Sequence, residues 1–122
     1  RGIKGIKELL YQLLDAGGKE HHTFGSSVKS LMLGDAWWVH YHKLRAAKGI
    51  TAKLLFNESL QSWKAEKKYP KSEIRYTKAG FEPLTETIIR HDMIGTIIWT
   101  EKPLGIIIQQ QEAAKSAICC ER

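Results

Sequence analysis

TETIIRHDMIGTIIWTEKP, residues 85–103, is the stretch on which the fold turns. It holds two β-branched runs, TETIIR and MIGTIIW, separated only by His91 and Asp92, the spacing of a two-residue hairpin. The same stretch raises a chemical question. Thr85, Thr87 and Asp92 occupy the positions of an H-x-K-x4-D pattern, a catalytic arrangement in which only the Asp is present here.

Outward from it, the chain keeps the same character on one side and changes on the other. LGIIIQQ follows after Glu101 to Pro103, a second hairpin spacing, and SEIRYT precedes as a further β-branched run. QEAAKSAICC is expected to close the domain as a helix. Upstream, Ile3, Ile6, Leu9, Leu10, Leu13 and Leu14 fall on one helical face, with Gly17 and Gly18 as a stop. Lys19 to Phe24 reads as a short strand running into FGSS, and a hydrophobic turn at Leu31 to Leu33 follows. Asp35 is a plausible N-cap and Gly49 a C-terminal glycine for a second helix carrying Trp37, Tyr41 and Leu44 at helical spacing. ITAKLLFNES is a strand, and SLQSWKAEKK a short third helix capped by Ser59. Helix, strand, helix, strand, helix favours parallel strands joined by crossovers. The expectation is an α/β fold, a mixed sheet flanked by helices, filling residues 1–122 as a single domain.

A chain of 122 residues buries roughly two thirds of its unfolded surface, enough for one core. Its 43% hydrophobic and 26% charged residues are the balance of an ordinary globular protein. Nineteen Lys and Arg against thirteen Asp and Glu give +6, scattered without a block of like charge, so a weak anion preference fits better than a dedicated nucleic-acid surface. Cys119 and Cys120 are adjacent and form neither a disulfide framework nor a metal knuckle, which suits a reducing cytoplasm. No apolar run approaches the ~18 residues of a membrane span, so no membrane partner is expected. The chain starts at Arg1 rather than Met, and is expected to be a piece of a longer protein.

Ligands of open α/β sheets bind beyond the carboxyl ends of parallel strands, which would bring FGSS (24–27) and FNES (56–59) together. Gly25, Ser26, Ser27, Asn57, Glu58 and Ser59 then offer hydroxyls, an amide and a carboxylate suited to polyols or anions; equally, they are turn and cap residues. Trp38, His42 and Arg45 share a helical face beside Trp37, Tyr41 and Leu44, either as core with Arg45 snorkelling to water, as an interface, or as a stacking surface. The histidines do not make a metal site. His21 and His22 are strand neighbours pointing to opposite faces, and His40 and His42 lie roughly 200° apart around a helix. There is no nucleophile elbow and no phosphate-binding glycine loop. No cofactor is implied.

Taken together, RGIKGIKELLYQLLDAGGKE, the FGSS loop, WWVHYHKLRAAKGITAKLLFNES and IIWTEKPLGIIIQQQEAAKSA resemble the sensor domain of TrmB-type archaeal transcriptional regulators. The resemblance spans nearly the whole chain. It implies a phospholipase D-like fold and a non-catalytic, effector-binding and dimerising role, with DNA bound by a winged-helix domain absent from this chain. The effectors of such regulators include sugars. Active enzymes of the phospholipase D-like superfamily use the His and Lys of the H-x-K-x4-D pattern, so Thr85 and Thr87 imply that no phosphodiesterase activity survives. Trp99, Thr100 and Glu101 stand where a Gly-Ser-x-Asn element would follow. The expected ligand-binding set is Ser26, Ser27, Asn57 and Glu58, with Trp38 or Tyr76 stacking, in a homodimer that shifts its pairing when a small effector binds. The alternatives are a degenerate phospholipase D-like nuclease or phosphodiesterase acting as a homodimer, and a direct nucleic-acid binder using the +6 surface.

Overall fold

A computed structural model describes residues 1–78, 84–109 and 112. The elements in chain order are α1 (Gly2–Leu14), β1 (Glu20–Ser26), a 3-10 helix (Val28–Leu33), α2 (Asp35–Ala47), β2 (Thr51–Asn57), two further 3-10 helices (Glu58–Trp63 and Ala65–Lys67), β3 (Ser72–Thr77), β4 (Thr85–Arg90), β5 (Met93–Ile98) and β6 (Leu104–Gln109). The six strands form one sheet in the order β3-β2-β1-β4-β5-β6. β1, β2 and β3 are parallel, and β4, β5 and β6 run antiparallel to their neighbours. The sheet is therefore mixed, as expected. The closing helix expected over 111–120, and Cys119 and Cys120, lie outside the described residues apart from Glu112.

The helical periodicity of the first segment does what it predicts, with one exception. Ile6, Leu9, Leu10, Leu13 and Leu14 are buried, whereas Ile3 is exposed. Two glycines receive this face. A Cβ on Gly95 of β5 would stand 2.7 Å from Leu13 Cδ1, and one on Gly105 of β6 would stand 2.6 Å from Leu9 Cδ1. The helix thus sits directly on strand backbone, a fit only glycine permits without the leucines moving. α2 covers the neighbouring part of the same sheet face, and Tyr41 of α2 donates to the Leu10 carbonyl of α1 at 3.1 Å.

SLQSWKAEKK does not make the expected α-helix. The segment breaks into two short 3-10 turns because Lys64 adopts a left-handed conformation (φ 56°) between them. The cap is also one position pair earlier, Asn57 accepting from the Ser59 amide in place of a Ser59 side-chain cap.

Two arginines are fully buried and hold the loops. Arg45 does not snorkel to water: Nη1 donates to the Ile50 carbonyl at 2.6 Å and the Lys71 carbonyl at 3.2 Å, and Nη2 to the Pro70 carbonyl. Those carbonyls belong to the turns that start β2 and β3, so one guanidinium aligns both strand entries. Arg90, the last residue of β4, donates to Leu13 O (3.1 Å), Leu14 O (3.3 Å) and Glu20 O (2.7 Å). It closes the C-terminal end of α1, where carbonyls lack helical partners and the helix dipole favours a cation.

Gly25 marks the bulge at which β1 shifts register against β2. Its φ is +87°, and a Cβ there would approach the Thr85 carbonyl oxygen to 2.6 Å. Both the conformation and the closeness require glycine. Gly25→Ala should lower the free energy of unfolding by roughly 2–3 kcal/mol, read from urea denaturation.

Candidate functional site

The bulge at Gly25 delivers the two loops after β1 and β2 to one place. The Val28 amide donates to Ser59 Oγ at 3.1 Å, joining FGSS to FNES. Within this meeting point the polar residues have separate duties. Ser27 Oγ accepts from the Lys29 amide at 3.3 Å and Asn57 Oδ1 from the Ser59 amide at 3.0 Å, so each starts a 3-10 helix. Both side chains are buried, and Glu58 beside them is exposed.

Ser26 points the other way, into the protein. Its Oγ donates to Glu86 Oε1 at 2.9 Å, and the Trp99 indole N–H donates to the same oxygen at 3.0 Å. Ser30 Oγ stands 3.4 Å from Ser26 Oγ and donates to the Ser27 carbonyl at 2.7 Å. Trp38 Nε1 donates to the Ser30 carbonyl at 2.7 Å. Ser26, Ser30, Trp38 and Glu86 line a cavity of about 20 Å³ together with His21 and Tyr41. That volume admits one water-sized molecule and excludes a sugar ring.

Burial disfavours the charged forms of the titratable groups around the cavity. Burial pushes the Glu86 carboxyl up to about 7 from its ordinary 4.5, with the Ser26 and Trp99 hydrogen bonds pulling in the opposite direction. Burial pushes the His21 imidazole down to about 3, assisted by the charges of Arg45, Arg90 and His22. His42 is driven well below its ordinary value by burial first, then by His21 and Arg45. His21 Nε2 lies 2.8 Å from Thr23 Oγ1, whereas its Nδ1 has no hydrogen-bond partner among the described residues. His42 Nδ1 accepts from Arg45 Nε at 3.1 Å, and the ring stacks on Tyr69 with centroids 3.9 Å apart.

Glu86 carries a pH-dependent prediction. Its folded pKa lies above its unfolded one, so the folded state keeps a proton that the unfolded chain releases. The resulting stability is fully present below pH 4.5 and is lost as pH rises toward 7. The span of 2.5 pH units between 4.5 and about 7 corresponds to about 3 kcal/mol. Glu86→Gln keeps an acceptor for Ser26 and Trp99 without the charge. It should be more stable than the native chain by about 3 kcal/mol at pH 8, with the difference vanishing near pH 4 in urea titrations.

The six residues expected to bind a ligand therefore separate. Ser26 and Trp38 line the cavity, Ser27 and Asn57 cap, and Glu58 reaches solvent. Tyr76 stands half-buried on β3, an edge strand, its hydroxyl donating to Glu66 Oε2 at 2.8 Å. The threonines of the H-x-K-x4-D positions are on the sheet face opposite the one bearing Glu86, and Asp92 sits in the β4–β5 turn, accepting from Gln109 Nε2 at 3.2 Å. His91 occupies that turn at φ +54°. Among the described residues no group of three or more His, Cys, Asp or Glu could hold a metal ion. His21 and His42 do approach, with ring centroids 6.1 Å apart across β1 and α2, a pairing that local spacing could not show.

Glu86 was missed in the sequence although a signal for it exists. It shares strand parity with Ile88 and, across the two-residue turn, faces Ile97. A carboxylate on that apolar row must be buried.

No family model matches the sequence, and no curated protein does. Among the described residues no helix is long and apolar enough to cross a membrane. Among solved structures, the chain is similar to TrmBL2, an archaeal chromatin protein whose structure is described as showing a novel mode of DNA binding. The TM-score is 0.66 at 16% identity, over 99% of this chain and 47% of that one. The chain therefore spans about half the length of that protein, and at this identity the likeness establishes the fold, a mixed α/β sheet shared with a TrmB-like structure.

Proposed function

We propose that this chain is a non-catalytic sensing and pairing domain of a TrmB-like, cytoplasmic DNA-binding regulator, with DNA read by a part of the protein beyond these residues. The observation that supports it is the fold likeness over 99% of the chain to about half of an archaeal DNA-binding protein. The effector, a sugar or small anion, binds where FGSS and FNES meet. Because the cavity of about 20 Å³ is too small for a sugar, the ligand contacts the loops from outside. Glu58 and Tyr76 are the accessible members of the set, while Ser26, Ser27, Asn57 and Trp38 hold the loops in place. Binding shifts the pairing of two subunits and with it the spacing of their DNA-reading parts. Titrating the chain with a panel of sugars and small anions should raise its melting temperature with one of them. No shift with any would remove the sensing role. Hydrolysis of bis-(p-nitrophenyl) phosphate that disappears in Asp92→Ala would instead support the phosphodiesterase alternative.

Strand β6 is the surface best suited to pairing. Among the described residues it is an edge strand, LGIIIQ carries no charge, and Leu104, Ile106 and Ile108 are exposed. The lysines, prolines and bulges that normally protect an edge are lacking within it. About a two-fold axis at Ile106, Leu104 would face Ile108 of the partner subunit, giving a self-complementary ladder. Ile106→Lys puts two like charges on that axis, and sedimentation should show a shift from dimer to monomer with the fold intact by circular dichroism. A monomeric native chain would sink the pairing role while leaving effector binding open.

A further inference from the structure

The charge of this protein is concentrated on its other edge. Residues 64–78 contain six of the nineteen basic residues and two of the thirteen acidic ones, a net +4 out of +6. They form the connection from β2 into β3 and β3 itself, the edge strand opposite β6. Lys64, Lys67, Lys71, Arg75 and Lys78 are exposed. Both acids already have partners: Glu66 accepts from the Tyr76 hydroxyl at 2.8 Å, and Glu73 lies 3.4 Å from Arg75.

The backbone adds an independent observation. Among the described residues three non-glycine residues have positive φ, and two of them are Lys64 (56°) and Lys71 (51°), which bracket this one connection. Glycine would relieve such a conformation, which costs an L-residue about 1–2 kcal/mol. Lysine stands at both places, so the strained positions carry charge where the fold alone would favour glycine. Between them the surface is stiffened. Lys68 Nζ lies 4.2 Å from the centroid of the Trp63 ring and donates to the Trp63 carbonyl, and Trp63 Nε1 donates to the Tyr69 hydroxyl at 2.9 Å.

We infer that this edge binds the phosphate backbone of double-stranded nucleic acid without reading its bases. The contacts are the ammonium groups of Lys64, Lys67 and Lys71, with Lys78 just past the end of β3. Such a surface supplies sequence-independent affinity through counterion release, and no base-reading helix is needed. The inference does not depend on effector binding or on pairing through β6.

The test uses the full 122-residue chain and a 30-base-pair duplex of arbitrary sequence, with affinity measured by fluorescence anisotropy from about 50 to 200 mM salt. Replacing Lys64, Lys67 and Lys71 together by Gln should make the slope of log affinity against log salt shallower by about 3, since each phosphate contact contributes about 0.9. A control with the same charge change elsewhere, Lys4→Gln, Lys43→Gln and Lys102→Gln, should leave the slope within about one unit. Lys64→Gly with Lys71→Gly should leave the melting temperature unchanged or raised while weakening duplex binding. That outcome separates a charge role from a folding role. Equal slopes in the two Gln triples, or no duplex binding at about 50 mM salt, would each overturn the inference.

Discussion

Replacing Arg90 by Met should lower the free energy of unfolding by about 4 kcal/mol, among the largest single-residue effects in this protein. The guanidinium is fully buried and makes three charged hydrogen bonds, to Leu13 O, Leu14 O and Glu20 O. Methionine fills much of the volume but leaves three carbonyls without that donor, and each hydrogen bond to a charged group contributes about 1.5–3 kcal/mol. For a domain whose whole stability is about 5–15 kcal/mol, this approaches unfolding. Arg90→Lys should recover only part, because one ammonium cannot span carbonyls on both α1 and the start of β1. Urea midpoints for the three chains provide the measurement. If Met and Lys variants were equally stable, the charge at the end of α1 would have no role.

Acid should unfold this chain through its interior. His21 and His42 are buried and neutral, their pKa values depressed by burial, so protons that bind the unfolded chain below pH 6.5 are refused by the folded one. Their contribution is present above pH 6.5 and is lost as pH falls, for His21 as it approaches about 3. Glu86 acts in the opposite sense between pH 4.5 and about 7, where the folded state alone holds its proton. The native chain therefore loses the difference, one proton, or about 1.4 kcal/mol per pH unit between pH 6.5 and 4.5. Glu86→Gln removes the opposing proton and should double that slope. His42→Asn, which retains an acceptor for Arg45, should flatten the native slope to near zero. Unfolding free energies at four pH values between about 4.5 and 7.5 would check all three, and a native slope of zero would mean that one of the two histidines takes up a proton in the folded state.

What could be read in advance was what neighbours in sequence decide. The β4–β5 hairpin was legible because His91 and Asp92 leave only two residues between β-branched runs, and α1 because its leucines repeat at helical spacing. The antiparallel pairing of β1 with β4, His21 against Arg90, was not legible, since nothing local selects a partner that far along the chain. Arg45 shows the same limit at a single residue. Its helical position suggested a head group in water, but carbonyls from two distant turns converge on it and draw it inward. For the site, the meeting of FGSS and FNES followed from the parallel order of β1 and β2, and the Val28–Ser59 hydrogen bond provides it. The division of those polar residues between cavity, caps and solvent was invisible, because it depends on the Gly25 bulge.

The strand order has a mechanical consequence. From β3 to β6 there are five interstrand steps, about 24 Å at the usual spacing, and each step turns the strand direction by roughly 20–25°. Strands at the two edges therefore run about 100–125° apart. A body held at both edges is a torsion element: a change of only ~2° per step would swing one attachment by ~10° relative to the other. The loops after β1 and β2 lie between those two edges, where a small ligand resting on their outer surface would act on the twist itself.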